Sequence, residues 1–465
     1  MTGTFSSLGI ALSGLRYNQA VLDNASNNIS NASTDGYVRR TVVGGSVIVG
    51  QPAMYARYDG HGDGVAVQAV TRQVDPLLDA QVRSAHSSLS YLTTQQTVLG
   101  TVENGIGEPG STGVAAALQQ FNNAWQDLAN NPGTDATRQQ VIGQGQTLAR
   151  AINGQVGNIV NQEADQRLHL LSNVSDINTA AQGLAKLNTT ILSGEQSGLD
   201  VNSLKDQRDQ LALQIANLAG GTVNVESNGT YDIAVGGVAL VTGQTAGTLV
   251  INSGVTATGA ADGNPITFRV DTGSGSTALP GNLGGEAGGV TDLLTNALPN
   301  YKAGLDAMAK QLADAVNTQH QAGYDANGNP GTAFFSYDPA NPGATLAVAL
   351  TSSSQVAASG VAGGNLDGSN ADTLSTSAKS AGDSYQRLVN GFGTQIAAIN
   401  QQASNQSTLT TSLDNSREQQ AGVNLDEETV SMVTAQRAYQ AAARVMTTLD
   451  DVLDTLINHT GLIGG

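Results

Sequence analysis

The chain has 465 residues, 39% of them hydrophobic and 12% charged, which is enough for roughly two to four domains with hydrophobic cores. Its net charge of −18 argues against binding to nucleic acid or to anionic lipid, and the absence of cysteine excludes disulfides, thiolate metal sites and cysteine nucleophiles. No apolar run is long enough to span a bilayer, so we expect no membrane insertion.

The first predicted element is a helix close to the N-terminus. Its apolar residues recur at alternating steps of three and four, a period typical of the seam of a coiled coil. We expect this stripe to be an assembly interface, formed by Leu8, Leu12, Leu15, Leu22 and Ile29. The segment has no basic start and no long apolar stretch, so it does not resemble a cleaved signal peptide.

The helix runs into a polar segment in which Asp35-Gly36 predicts a turn. From Val38 to Thr71, β-branched residues and glycines predict short strands. Helical periodicity then returns after Pro76, which suits the first turn of a helix. Further helices are predicted from Leu118 to Leu128, from about Ala136 to Ile191 and from Ser203 to Leu218.

The segment from Gly220 to Gly288 differs from its surroundings, because apolar and polar residues alternate in it. Asn228-Gly229 lies in the middle of that alternation and predicts a hairpin. We therefore expect an inserted β domain. A helix is predicted from about Val290, followed by loops and strands between Gly323 and Gly368 and by helix from 371 to 458.

The closing helix repeats the pattern of the first one. Its apolar residues step by three and four, and the expected assembly stripe is formed by Ala442, Val445, Leu449, Val452 and Leu456. Asn424 is the predicted N-cap, with Glu427 three residues later as its capping-box partner.

Three carboxylates lie near the negative end of that helix, namely Asp450, Asp451 and Asp454. Like charge at this end is unfavourable. We therefore hypothesise that the terminal helices become stably ordered only when they assemble.

Motifs of catalysis are absent from the sequence. There is no H-E-x-x-H, no G-x-S-x-G and no G-x-x-x-x-G-K, so the sequence predicts no enzyme and no cofactor. The run that begins at Asp325 resembles the start of a calcium loop, but Pro330 replaces the required glycine and Ser336 the required glutamate. It predicts an Asx-rich turn without a metal.

The predicted fold is mainly α with a β insertion, in a discontinuous, multi-domain axial arrangement. We expect the terminal coiled-coil helices to form one domain from residues 1–75 and 415–465. A helical bundle layer is expected from 76–219 and 289–414, with a small β region near 325–360. Residues 220–288 would form a small outer β domain.

Four segments resemble the flagellar hook-associated protein FlgK family. The segment 13–40 is similar to an N-terminal motif of flagellar rod, hook and hook-associated proteins, and it matches at Asn27, Asn28, Ile29, Asn31, Thr34, Gly36 and Tyr37. The resemblance adds Asn27, Asn28, Asn31, Gly36 and Tyr37 to the expected assembly interface.

The other three segments help to distinguish the FlgK family from hook and rod proteins. Residues 118–141 match a FlgK pattern that hook and rod proteins lack, at Phe121, Leu128, Ala129, Asn131, Pro132, Ala136, Arg138 and Gln139. Residues 299–335 match a second FlgK pattern. The opening V-N-L-D-E-E of 423–458 is also similar to FlgK, while its Q-R-A-Y-Q portion is shared with hook proteins.

The resemblance implies a structural component that joins the flagellar hook to the filament. It implies type III export without a cleaved signal peptide and an extracellular position at the hook–filament junction. The implied partners are further copies of the chain in a ring or helical layer, the hook protein, the second junction protein FlgL and an export chaperone of the FlgN type. Two alternatives stay open: a hook or rod-type axial protein, and a surface adhesin that uses the β insertion.

Overall fold

The computed structural model describes residues 2–47, 62, 64–363, 366–455 and 458. A helix, α1 (Thr2–Ser30), is followed by the antiparallel hairpin β1 (Arg40–Ser46) and β2 (Val65–Arg72). Four helices come next: α2 (Pro76–Ile106), α3 (Val114–Asn130), α4 (Asp135–Gln196) and α5 (Asn202–Ala219).

The inserted β region contains two small antiparallel sheets. One has the order β3 (Thr222–Val225), β4 (Tyr231–Val235), β5 (Val238–Thr242) and β6 (Thr245–Ala246). The other has the order β7 (Thr248–Ser253), β8 (Thr267–Thr272) and β9 (Gly275–Ala278). The turn between β3 and β4 contains Asn228-Gly229, as predicted.

The rest of the chain is again mainly helical. It comprises α6 (Gly285–Asp292), a π-helical turn (Leu293–Ala297), α7 (Leu298–Ala322), β10 (Phe335–Ser336), α8 (Pro342–Thr345), β11 (Ala347–Val348), a 3₁₀ turn (Ser353–Gln355), α9 (Ser369–Ser377), α10 (Lys379–Ala421) and α11 (Leu425–Asp454). The prediction of a mainly α fold with a β insertion is therefore confirmed.

Local signals explain several of the helix ends. Asp75 caps α2, because its Oδ1 accepts hydrogen bonds from the backbone N–H groups of Leu77 and Leu78, and Pro76 occupies the first turn. At the other end of α2, Gly107 adopts the left-handed conformation with φ of 66°. The helix therefore begins and ends at residues that favour those positions.

Helix α4 is 62 residues long and uninterrupted, although its glycines predict local weakening. Gly145 is needed for packing, since a Cβ at that position would lie only 2.8 Å from the ring of Phe334. Burial along the whole helix thus outweighs the low helix propensity of its glycines.

Two hydrophobic cores share α4. The first joins the N-terminal half of α4 to α3, α7, α10 and the segment of residues 334–358. The second joins the C-terminal half of α4 to α5, α6 and both small sheets. Hence the β insertion does not have a core of its own, and the boundary expected between residues 219 and 220 runs through shared packing.

Two amide side chains on α4, half-buried Asn178 and fully buried Asn188, also attach the sheets to the helix. Asn178 donates from Nδ2 to the carbonyl oxygen of Leu249, and its Oδ1 accepts from the N–H of the same residue. Asn188 makes the same pair of bonds with the backbone of Tyr231. Because these bonds satisfy backbone groups at strand ends, they fix the sheets on α4.

Helices α1 and α11 pack along each other in antiparallel directions, and the hairpin β1–β2 packs on α1. We call α1, the hairpin and α11 the terminal module, and everything from α2 to α10 the body. Neither hydrophobic core of the body includes a residue of the terminal module. In the part of the chain that the structure describes, no helix is apolar over a membrane-spanning length.

Candidate assembly interface

Small residues form the closest contact between the two terminal helices. Gly14 faces Ala442, since a Cβ built on Gly14 would lie 3.9 Å from the Ala442 Cβ. Ala11 and Ala25 on α1 and Ala435 on α11 are buried. Side chains this small let two helices approach closely, but they bury little apolar area.

The buried stripe of α1 therefore differs from the expected one. It steps by three and four through Ala11, Gly14, Asn18, Val21, Ala25 and Asn28, all of which are buried or half-buried. Of the predicted stripe, Leu12 is 39% exposed, while Leu8, Leu15, Leu22 and Ile29 are half-buried. The sequence reasoning missed the small-residue stripe because it weighted leucine over alanine and glycine.

Helix α11 presents two apolar stripes. One includes Ala435, Ala442 and Leu449 on the side that is buried or half-buried. The other is exposed and consists of Val430, Val433, Val445 and Val452. Val445 and Val452 were expected in the same seam as Ala442, but they are 51% and 44% exposed. Leu456, the last residue of the expected stripe, lies outside the described residues.

Exposed apolar side chains concentrate in this module. Twenty large apolar residues are exposed in the described ranges, and eleven of them belong to the terminal module: Ile10, Leu12, Val43, Val47, Val67, Leu425, Val430, Val433, Tyr439, Val445 and Val452. Such a concentration marks an interaction surface.

Asparagines in the last turns of α1 hold the start of β1 in place. Asn28 is fully buried, and its Nδ2 donates to the carbonyl oxygen of Arg40 over 2.9 Å. Its Oδ1 accepts from the Arg40 N–H and from the Tyr37 hydroxyl. Asn24 donates to the same carbonyl oxygen. The structure thus places Asn28 and the Tyr37 hydroxyl inside the chain, where they fix the start of β1, rather than on a surface open to neighbours.

The other motif residues shape the turn itself. Asn31 donates from Nδ2 to the carbonyl oxygen of Asn27, and its Oδ1 accepts from the Thr34 hydroxyl. Gly36 has a φ of 76°, and a Cβ there would lie 2.2 Å from the side chain of Gln210. Glycine is needed at this position for both reasons. Asn27 itself has an exposed side chain.

The hairpin is joined to the start of α11 by one arginine. Arg39 Nε lies 2.8 Å from Glu428 Oε1, and Arg39 Nη1 lies 2.8 Å from Glu427 Oε2. Burial lowers the pKa of Arg39, but the hydrogen bonds to these two carboxylates raise it by more, so the pKa is raised overall. Asn424 occupies the N-cap position and accepts from the N–H groups of Asp426 and Glu427. The sequence predicts that Glu427 completes a capping box, but its carboxylate instead accepts a hydrogen bond from Arg39.

A second group of charges joins the hairpin to α5 in the body. Arg40 and Arg72 approach Asp206 at 3.0 and 2.7 Å, and Arg72 also contacts Asp209 at 2.5 Å. Burial lowers the pKa of Arg72, but Asp209 and Asp206 raise it by more, so the pKa is raised overall. The joint between the terminal module and the body is thus made largely of ion pairs and hydrogen bonds.

A metal site has no support in the described part of the chain. No three histidine, aspartate or glutamate side chains there gather where they could hold a metal ion. The loop at Asp325 is an Asx turn, in which Oδ1 accepts from the N–H groups of Asn327 and Asn329. The terminal module is therefore the best supported candidate site.

Two family models match the chain. The model of the flagellar hook-associated protein FlgK helical domain matches residues 99–335. The model of the flagellar basal body rod FlgEFG protein C-terminal region matches residues 416–459, which include α11.

Among curated proteins, the chain is similar to flagellar hook-associated protein 1 from three bacteria. Identity to the Bacillus subtilis protein is 29% over the full length of both chains. It is also 29% to the Escherichia coli protein, over 96% of this chain and 98% of that one. It is 32% to the Salmonella typhimurium protein, over 70% of this chain and 58% of that one.

A solved structure has a similar fold. The flagellar hook junction protein FlgK from Burkholderia pseudomallei superposes with a TM-score of 0.63 and 18% identity. The match covers 73% of this chain and 99% of that one.

Proposed function

Since the chain belongs to the FlgK family of flagellar hook-associated proteins, we propose that it joins the flagellar hook to the filament as a structural subunit. The observation that carries the proposal is the second apolar stripe of α11. One side of α11 is packed in the terminal module, whereas the valines of the other stripe are 39–66% exposed. Assembly would cover them.

The partners follow from the resemblance. Copies of the chain form a ring or helical layer between the hook protein on one side and the second junction protein FlgL on the other. The terminal modules of neighbouring copies contact each other, and the bodies project outward. The apolar residues collected in the terminal module support this arrangement, because apolar contact is what holds permanent assemblies together.

The family membership favours a junction subunit over a hook or rod subunit. The FlgK helical-domain match spans the end of α2 and everything from α3 to α7, which form much of the body. The rod-protein match is confined to the C-terminal end. That end contains the Q-R-A-Y-Q portion, which resembles hook proteins as well as FlgK. The adhesin alternative has less support, since the β insertion is packed on α4 and α5 rather than held apart.

Localisation on isolated hook–filament complexes tests the proposal. An epitope tag placed in the exposed β8–β9 turn, at residues 273–274, should be seen as one narrow band between hook and filament. Deletion of the gene should yield hooks without filaments. Labelling along the hook, or on the cell surface away from flagella, would contradict the proposal.

Deleting 222–278 tests the adhesin alternative separately. A junction subunit without these residues should retain its place between hook and filament, provided that α4 and α5 stay folded. Loss of surface binding with retained motility would instead favour the adhesin.

We further propose export by the flagellar type III apparatus, with α11 bound by a chaperone of the FlgN type before export. The exposed valines of α11 would otherwise cause aggregation. Val445→Asp with Val452→Asp should weaken chaperone binding, whereas Leu77→Asp should not, because Leu77 is exposed on the body. Unchanged binding after removal of residues 424–458 would reject the chaperone site.

The hypothesis that the termini order on assembly has its own measurement. Far-ultraviolet circular dichroism should report more helix in the assembled protein than in the free chain. A free chain whose α1 and α11 are already fully helical would exclude it.

A further inference from the structure

The terminal module contains a groove that its own α11 does not fill. The groove has a volume of about 380 Å³ and lies between α1 and the hairpin, lined by Leu12, Arg16, Tyr17, Val47, Val65 and Val67. Leu12 and Val67 are 39% and 40% exposed. Among the described residues, its floor is therefore apolar and exposed.

Helix geometry separates the groove from the chain's own α11. Ser13 and Arg16 line the groove, whereas Gly14 faces α11 and Ala11 is buried. At 3.6 residues per turn, positions 11 and 13 point in nearly opposite directions around the helix. Helix α1 thus has α11 of the same chain on one side and the open groove on the other.

The charge at the groove selects a partner. Arg16 and Asp23 are the charged side chains of α1, and Arg16 is exposed with no ion-pair partner among the residues placed in the structure. The end of α11 has the opposite sign, because it carries Asp450, Asp451 and Asp454 and the negative end of the helix macrodipole. These three carboxylates form no ion pair within the described chain.

The outer stripe of α11 has the matching apolar surface. Val445 and Val452 are seven residues apart and lie on one face, two turns from each other. Asp451 is exposed at the border of that face. The two valines and Asp451 on α11 are therefore complementary to the apolar groove and Arg16 on α1.

We propose that the groove receives α11 of a second copy of this chain, with Val445 and Val452 against Leu12 and with Asp451 beside Arg16. The inference rests on the proposed assembly through the terminal module and specifies its subunit contact. Each α1 is then enclosed between two α11 helices, one from its own chain and one from a neighbour. Because this contact is head-to-tail, it propagates into a ring or a helical layer.

Disulfide crosslinking in the assembled junction tests the contact, and the absence of natural cysteine removes background. Cells would express two single-cysteine chains together, Leu12→Cys and Val445→Cys. Since each chain has one cysteine, a crosslink between the two variants reports contact between different copies. We expect a product at twice the chain mass, containing one copy of each variant, in isolated hook–filament complexes. Asp23→Cys paired with Val445→Cys is the matched control, because Asp23 is exposed on α1 outside the groove.

The charge pair is tested on the same background. Adding Arg16→Asp to the Leu12→Cys chain should reduce the crosslink yield about fivefold, since like charges replace an ion pair. Adding Asp451→Arg to the other chain should restore it. Absence of the crosslink while both variants are present in the junction overturns the inference, as does a crosslink from Leu12→Cys to hook or filament protein. Absence of both variants, and of the unaltered chain, from the junction would instead contradict the proposed function.

Discussion

The body and the terminal module are both mainly helical, but they differ in how far they bury their apolar side chains. In the body, Phe121, Trp125, Phe334 and Phe335 are at most 1% exposed, and neighbouring ring centroids lie 4.8–6.0 Å apart. In the terminal module, alanine and glycine form the closest helix contact, and valines remain exposed. The difference indicates that the body is stable as a single chain, whereas the terminal module needs neighbours to bury its larger side chains.

The largest expected effect concerns the aromatic core of the body. Phe334→Ala should reduce the free energy of unfolding by about 4 kcal/mol, because it leaves a cavity beside Trp125 and Phe121. Leu12→Ala in the terminal module is the counterpart and should cost less than about 1 kcal/mol in the free chain. Denaturant unfolding measures both, and equal losses would contradict the contrast between the two regions.

A pH effect of somewhat smaller size is expected from His320 in the same core. Its Nδ1–H donates to the carbonyl oxygen of Thr332, and its Nε2 accepts from the N–H of Ala357, so the ring is neutral. Burial lowers the pKa of His320 from 6.5 to about 4. Between these values the unfolded chain binds the proton and the folded chain does not.

The stability that the body gains from neutral His320 is thus complete above about pH 6.5 and is lost as pH falls toward 4. The loss should reach on the order of 3 kcal/mol. Unfolding measured at several pH values should show this slope, and His320→Gln should be less stable at neutral pH but should lack the slope. An unchanged slope in that variant would assign it to other groups.

Asn28→Ala should produce an intermediate and local effect in the terminal module. It leaves the N–H group of Arg40 and the Tyr37 hydroxyl without their partner, and the Arg40 carbonyl oxygen keeps its bond from Asn24, at a cost of about 2 kcal/mol. Hydrogen exchange should become faster in α1 and β1 and stay unchanged in α4. Asn27→Ala is the adjacent control, since that side chain is exposed and should cost less than about 0.5 kcal/mol. Faster exchange throughout the body would show that the two regions are one cooperative unit.

Sequence reasoning was most successful where a signal is local. Pro76 at the start of α2, Asn228-Gly229 in the β3–β4 turn and the acceptor side chain of Asn424 before α11 each act on backbone groups within a few residues. Such effects are properties of short segments. The mainly α fold with a β insertion could therefore be predicted from the chain alone.

The packing partners could not be predicted in this way. Nothing local indicates that Asn178 and Asn188 hold the sheets on α4, because their partners are 43 to 71 residues away. Likewise, the leucine stripe of α1 has the stronger periodic signal, but Ala11 and Gly14 have the shapes that α11 fits. Which stripe is buried depends on the neighbour, and that information is not in the periodicity of one helix.

The smallest expected effect separates two adjacent carboxylates in the terminal module. Both Glu427 and Glu428 contact Arg39 at 2.8 Å, but their side chains are 58% and 4% exposed. Water screens the exposed pair, so Glu427→Gln should cost less than about 0.5 kcal/mol. Glu428→Gln removes the buried negative charge beside Arg39 and should cost about 1.5 kcal/mol. Both residues lie in the first turn of α11, so the loss of charge near the helix N-terminus is similar in the two variants and cancels in the comparison.

Thermal unfolding of the terminal module, followed by hydrogen exchange in α11, measures the difference. Equal costs would mean that the hairpin is held to α11 by general charge attraction and not by the buried ion pair.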